Sequence, residues 1–258
     1  ELKCYSSLLK IFLCIFGKNK RMNSTKPLIL VVNDDGINAP GIIALTNVAK
    51  EFGEVVVVAP DKPQSGMGHA ITLDSTLHIK PMNNEEVTAY SCSGTPVDCV
   101  KIAVNKLLDR KPDLIVSGIN HGSNSSINVI YSGTMSAALE GSLEGIPSVG
   151  FSLLNHSIEA DFSAAKHFAK KIIAQLLQQQ YTKNLCLNVN IPNLKTELIA
   201  GIKVCRQAKG NWEEDYDERT DPMGRKYYWL TGKFVLEDIG TYTDEWALNK
   251  NYVSVVPV

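Results

Sequence analysis

The chain has 258 residues, 44% hydrophobic and 21% charged, a balance that suits one large α/β domain or a domain with an elaborated second lobe. A chain of this length buries a sizeable core without disulfide staples. Its formal net charge of −1 offers no basic field to a nucleic-acid polymer or an anionic membrane, which leaves small ligands, nucleotides among them.

Residues 1–21, ELKCYSSLLKIFLCIFGKNKR, open without methionine and carry an apolar run too short to span a bilayer, with no small-residue cleavage site behind it. They are expected to be an appended or upstream-translated segment outside the fold, and Met22 is a natural start just ahead of the first strand. Four apolar segments then read as buried parallel strands, continuous rather than alternating: LILVVN (28–33), EVVVVAP (54–60), PDLIVSG (112–118) and IPSVGFSL (146–153). Between them, residues 41–53 place Ile42, Ile43, Leu45, Val48 and Ala49 on one helical face and close on Gly53. Residues 95–109 begin with Thr95 as N-cap and Pro96 in the first turn. The alternation predicts a doubly wound α/β fold with a mainly parallel sheet.

The strand ends carry the chemistry. The first strand stops at Asn33-Asp34-Asp35-Gly36, where two adjacent carboxylates repel and lose hydration unless a cation sits between them. Alone, these residues read equally well as a solvated turn. The second strand, however, runs into APDKPQSGMGHAIT, with Ser65 and His69, and the third into SGINHGSN, with Asn120, His121 and Asn124. Ligands bind outside the carboxyl ends of strands in an open parallel sheet, and three polar, glycine-bearing loops at that edge favour a site. Asp34, Asp35, Ser65 and Asn120 offer hard oxygen ligands of the kind Mg²⁺ or Mn²⁺ prefers. Ser132-Gly133-Thr134, ahead of a small-residue helix, reads as a helix N-terminus able to seat a phosphate.

Six cysteines without a CxxC pair, several within apolar runs, point to free thiols in a reducing cytoplasm rather than to a disulfide framework or a zinc site. The pattern NDDGIN does not match the DxDx[TV] of aspartyl-phosphate hydrolases, and no GxGxxG follows the first strand.

Taken together, NDDGINAPGI, VVAPDKPQSGMGHAIT, SGTPVDCVKIA, PDLIVSGINHGSN and YSGTMSAALEG resemble the SurE family of metal-dependent 5'/3'-nucleotidases. The likeness continues through LNVNIPN, DPMGRKYYWL and TDEWAL, from Met22 to the end of the chain. It implies a phosphomonoester hydrolase of nucleoside 5'- and 3'-monophosphates, with one divalent cation per subunit, Mg²⁺ or Mn²⁺, on Asp34, Asp35, Ser65 and Asn120. Asp34 and Asp35 are the candidates to orient or deprotonate the attacking water. Phosphate contacts are implied at Asn124, Ser132, Gly133 and Thr134. His69 and His121 are candidates to protonate the leaving group. The resemblance further implies a Rossmann-like α/β catalytic core over 22–155 and an extended, β-rich region over 156–258 that completes the fold and helps build a homodimer or homotetramer. The aromatic segment KYYWLTGKFVLE (226–237) is expected to be covered by a partner subunit.

Overall fold

A computed structural model of the chain describes residues 26–83, 86–179 and 184–258; the segment 1–21 lies outside the described residues. The first apolar run forms β1 (Leu28–Val32), buried along its whole length. Its side chains alternate between two cores. Ile29 and Val31 face the core that receives Ile42 and Leu45 of α1 (Pro40–Ala49), whereas Leu30 and Val32 face one shared with Cys99 and Val100 of α2 (Pro96–Ile102). A strand buried on both faces has no solvent side, hence the unbroken apolar pattern.

The remaining elements follow in order: β2 (Glu54–Pro60), β3 (Ile79–Pro81), β4 (Thr88–Cys92), β5 (Leu114–His121), α3 (Gly133–Leu143), β6 (Ser148–Leu153), α4 (Ser163–Gln178), β7 (Cys186–Ile191), β8 (Gly201–Val204), β9 (Gly210–Thr220), β10 (Lys226–Leu236), α5 (Asp244–Asn249) and β11 (Tyr252–Pro257). Among the described residues, nine strands form one sheet in the order β3-β4-β2-β1-β5-β6-β7-β11-β8. The β4-β2-β1-β5-β6-β7 run is parallel throughout, and β11 pairs antiparallel with β7. Strands from the C-terminal region therefore complete the sheet begun by the N-terminal one. Strands β9 and β10 form a separate two-stranded antiparallel hairpin, largely exposed.

The helices follow their sequence signals with three differences, the first being Ile43, expected on the inner face of α1 but 53% exposed while Ile42, Leu45, Val48 and Ala49 are buried. Thr95 caps α2 in a full capping box, accepting from the Asp98 N–H while the Asp98 carboxylate accepts from the Thr95 N–H at 2.9 Å. The α-helix ends at Ile102, however, and continues as one π-helical stretch over Ala103–Leu107. The first helix stops at Ala49 rather than near Gly53. Glu51 and Phe52 donate three residues back, to Val48 and Ala49, tightening the last turn so that the chain can swing into β2. Among the described residues no helix is long and apolar enough to cross a membrane.

Candidate active site

The turn after β1 is closed by Asn33, whose buried side chain donates to the Gly36 carbonyl at 2.9 Å and accepts the Gly36 N–H at 3.2 Å. Gly36 sits at φ +100°, where a side chain would be strained. This bracket turns the chain sharply and leaves the two intervening carboxylates, Asp34 and Asp35, at the strand end. The neighbouring loop docks on the same turn: Gln64 donates its N–H to the Asp34 carbonyl at 2.8 Å, one residue before Ser65. In β5 the pairing with β6 shifts register between Ser117 and Asn120, an irregularity of the kind that re-aims a side chain. The Asn120 amide nitrogen donates to the Gly122 carbonyl at 2.9 Å, which holds the side chain and leaves its oxygen for a ligand.

Asp34, Asp35, Ser65 and Asn120 line one cleft of about 580 Å³, together with His121, Asn124 and Ser132. Asp34 is nearly inaccessible, and burial is the main reason its pKa rises to about 6, against the hydrogen bonds and beside the charge of Asp35. Burial raises Asp35 as well, opposed by His121 through its charge and its backbone N–H. One carboxylate oxygen of Asp35, Oδ2, is buried without a hydrogen-bond partner among the described residues, as is Nδ1 of His121. A buried, unsatisfied carboxylate oxygen is costly unless something positive meets it. No group of three or more His, Cys, Asp or Glu side chains among the described residues could hold a metal. The donor set is two carboxylates with a hydroxyl and an amide oxygen, which fits a hard cation and not a soft one.

The N-terminus of α3 meets this site differently from the sequence expectation. Thr134 is fully buried, and its hydroxyl donates to Asp34 Oδ1 at 2.5 Å. Its backbone N–H also reaches the Asp34 carboxylate. Gly133 packs so closely that an added Cβ would lie 2.6 Å from Asp34 Cβ. The helix end thus braces Asp34, and of the Ser132-Gly133-Thr134 turn it is Ser132 that lines the cleft, accepting the Met135 N–H at 3.0 Å as N-cap. Asn124 is buried, with its amide nitrogen donating to Ser152 Oγ at 2.9 Å.

The two histidines separate. His121 lines the cleft, its ring packed edge-on against Phe162. His69 is tied 2.9 Å from Glu140, a buried carboxylate on α3 that also pairs with Lys101 at 2.6 Å. Several contributors were missed by sequence reasoning. Asn188 and Asn190 on β7 brace the loop after β5: Asn190 accepts the Asn124 N–H at 2.8 Å, and Asn188 donates to the Asn124 carbonyl at 2.7 Å. Their alternation in LNVN, two polar amides inside an apolar strand, was the available signal. His156, Tyr131, Trp212, Phe234 and Glu245 also line the cleft, and no local pattern links them to the strand ends.

Fold and site define a doubly wound α/β protein that gathers oxygen donors into an acidic cleft beyond the carboxyl ends of its parallel strands. The protein-family model described as Survival protein SurE matches residues 29–214. The chain is 62% identical over 236 residues to the 5'-nucleotidase SurE of Flavobacterium psychrophilum, covering 91% of this chain and 92% of that one. It is 48% identical to the 5'-nucleotidase SurE of Bacteroides thetaiotaomicron, over 92% of this chain and 91% of the relative. The crystal structure of the SurE protein from Aquifex aeolicus is similar at a TM-score of 0.78 and 40% identity, covering 90% of this chain and 93% of that one. The chain belongs to the SurE family.

Proposed function

We propose that this protein is a phosphomonoesterase that releases phosphate from nucleoside 5'- and 3'-monophosphates with the help of one divalent cation, Mg²⁺ or Mn²⁺, per subunit. The observation that carries the reading is the convergence of Asp34, Asp35, Ser65 and Asn120 on one cleft in a chain 62% identical to a protein named 5'-nucleotidase SurE. These four side chains would hold the cation. Such a cation supplies Lewis acidity toward the phosphoryl group and acidifies water near neutral pH.

The chain's own residues do the rest. Asp34, fixed by the Thr134 hydroxyl, keeps one orientation through the reaction. Asp34 or Asp35 orients the attacking water and takes its proton, and the unpartnered Asp35 oxygen is an acceptor for it. Ser132 and Asn124, which line the cleft, contribute polar contacts to the non-transferring phosphoryl oxygens, and Gly133 adds only its backbone N–H. In this role Thr134 acts through Asp34. His121, which lines the cleft, is the better of the two histidines to protonate the leaving group.

The proposal extends to a cytoplasmic homodimer or homotetramer, with a catalytic core over 22–155 completed by 156–258, that acts on mononucleotides and engages neither nucleic-acid polymers nor membranes. A phosphate-release assay over nucleoside 5'- and 3'-monophosphates, run with Mg²⁺, Mn²⁺ or EDTA, tests the activity. Release with either metal and none in EDTA is expected; equal rates with and without EDTA would rule out the cation's role.

A further inference from the structure

The cleft is built for more than a phosphate. Its volume of about 580 Å³ lies in the range that receives a drug-sized ligand, roughly 300–1,000 Å³. Beside the oxygen donors it carries the aromatic side chains of Tyr131, Trp212 and Phe234. Phosphate, a strongly hydrated anion, gains nothing from an aromatic surface.

Two of these rings come from the hairpin, where Trp212 on β9 stands directly opposite Phe234 on β10. Their centroids lie 5.9 Å apart at an interplanar angle of 63°, an edge-to-face pair. The Trp212 Nε1 donates to Asn128 Oδ1 at 2.8 Å, and Asn128 lines the same cleft. The indole is therefore held by its edge and by its neighbour, yet remains 39% exposed; Tyr131 is 49% exposed. A large aromatic ring with its polar handle already satisfied has only its π-surface left to offer a ligand.

We propose that Trp212, with Tyr131 and Phe234, forms a stacking subsite for the nucleobase of the substrate, so that the hairpin selects nucleotides over base-free phosphate esters. The consequence for catalysis rests on the phosphomonoesterase reading above. Because the indole N–H is committed to Asn128, recognition runs through the ring face, which every purine and pyrimidine shares. The subsite therefore tolerates different bases. Asn128 and Glu245, an amide and a carboxylate in the same lining, suit the hydroxyl groups of the intervening sugar.

The test compares AMP with ribose 5-phosphate, in which a hydroxyl stands in place of the base, on the whole 258-residue chain and its Trp212→Ala and Trp212→Phe variants. In steady-state kinetics the wild-type ratio of kcat/KM for AMP over ribose 5-phosphate exceeds one. Trp212→Ala lowers that ratio roughly 5- to 100-fold by loss of one stacking partner, while Trp212→Phe retains most of it. An unchanged ratio in Trp212→Ala, or an equal fall for both substrates, overturns the subsite. Calorimetric titration of both ligands into the metal-free protein supplies a second readout. Tighter wild-type binding of AMP, with the gap closed by Trp212→Ala, supports the subsite even if neither ester is hydrolysed, an outcome that would overturn only the phosphomonoesterase reading. Equal wild-type affinities, or no AMP binding, overturn the subsite itself.

Discussion

Asp34 is the most constrained ionisable group of the cleft: buried, accepting from the Thr134 hydroxyl and N–H, and packed against Gly133. Its carboxylate needs a positive partner to offset lost hydration. Asp34→Asn removes the charge and keeps the shape, so cation affinity should drop steeply and hydrolysis should all but vanish while the fold persists; calorimetric titration with Mn²⁺ and a circular dichroism spectrum check both. Thr134→Val keeps the volume and deletes the hydroxyl that orients Asp34. Groups that orient a metal ligand typically contribute 10- to 100-fold in metal affinity, and a loss of about that size is expected. The KM measured at saturating metal should hardly move, since the hydroxyl is committed to Asp34. A variant with normal metal affinity and a raised KM would instead mean that the hydroxyl touches the substrate directly.

At the scale of elements, the loop between β2 and β3 is tied down by α2 and α3. Asp98 on α2 accepts from Thr72 twice, at 2.6 Å through the hydroxyl and 3.1 Å through the N–H, and Glu140 on α3 holds His69 and Lys101. These ties anchor the loop at His69 and Thr72, a short way beyond Ser65. Burial alone would raise the Glu140 pKa, but hydrogen bonds from Lys101 and His69 outweigh it and hold the carboxyl below its ordinary value of 4.5. A depressed carboxylate contributes stability above its unfolded pKa and loses it as pH falls through the folded one. The melting temperature of the wild type should therefore drop on acidification below about pH 4.5 more steeply than that of Glu140→Gln. At pH 7 the variant should be less stable by about 1–3 kcal/mol, the cost of weakening charged hydrogen bonds to a buried group. Scanning calorimetry from pH 7 to pH 3 decides it, and parallel pH profiles would exclude Glu140 as a contributor.

The whole molecule places its apolar surface unevenly. The hairpin exposes Tyr216 at 58%, Tyr228 at 55% and Leu230 at 64%, which share one face by the register of β9 against β10, on strands open to solvent along most of their length. A contiguous patch of that kind is an association surface or an aggregation liability. In the proposed dimer or tetramer a second copy covers it. Light scattering at micromolar concentration should then give at least a dimer, and Tyr228→Ser with Leu230→Ser, on that one face, should raise the monomer fraction. A wild-type monomer would count against assembly through this face. Because Trp212 and Phe234 sit on the same two strands, loss of assembly that also raises KM for nucleotides would tie the partner surface to the cleft.

Local chemistry was legible in the chain itself. Strands buried on both faces must be apolar throughout, so LILVV and EVVVVAP declared themselves, and Thr95-Pro96 announced a helix start because capping depends on neighbouring residues alone. The carboxyl ends of parallel strands share one edge, which was enough to group Asp34, Ser65 and Asn120 from widely separated loops. What the chain order could not express was the direction of individual donors. Thr134 looks like any residue of a helix N-terminus in sequence, and only the close approach of α3 to β1 turns its hydroxyl onto Asp34. The same holds for His69, drawn to Glu140, and for Trp212, which reaches the cleft from a hairpin far along the chain. Periodicity and capping are short-range properties that a sequence states directly. The partner of a hydroxyl or the exposed face of an indole is set by how separate elements pack, and that is decided only when the chain is folded.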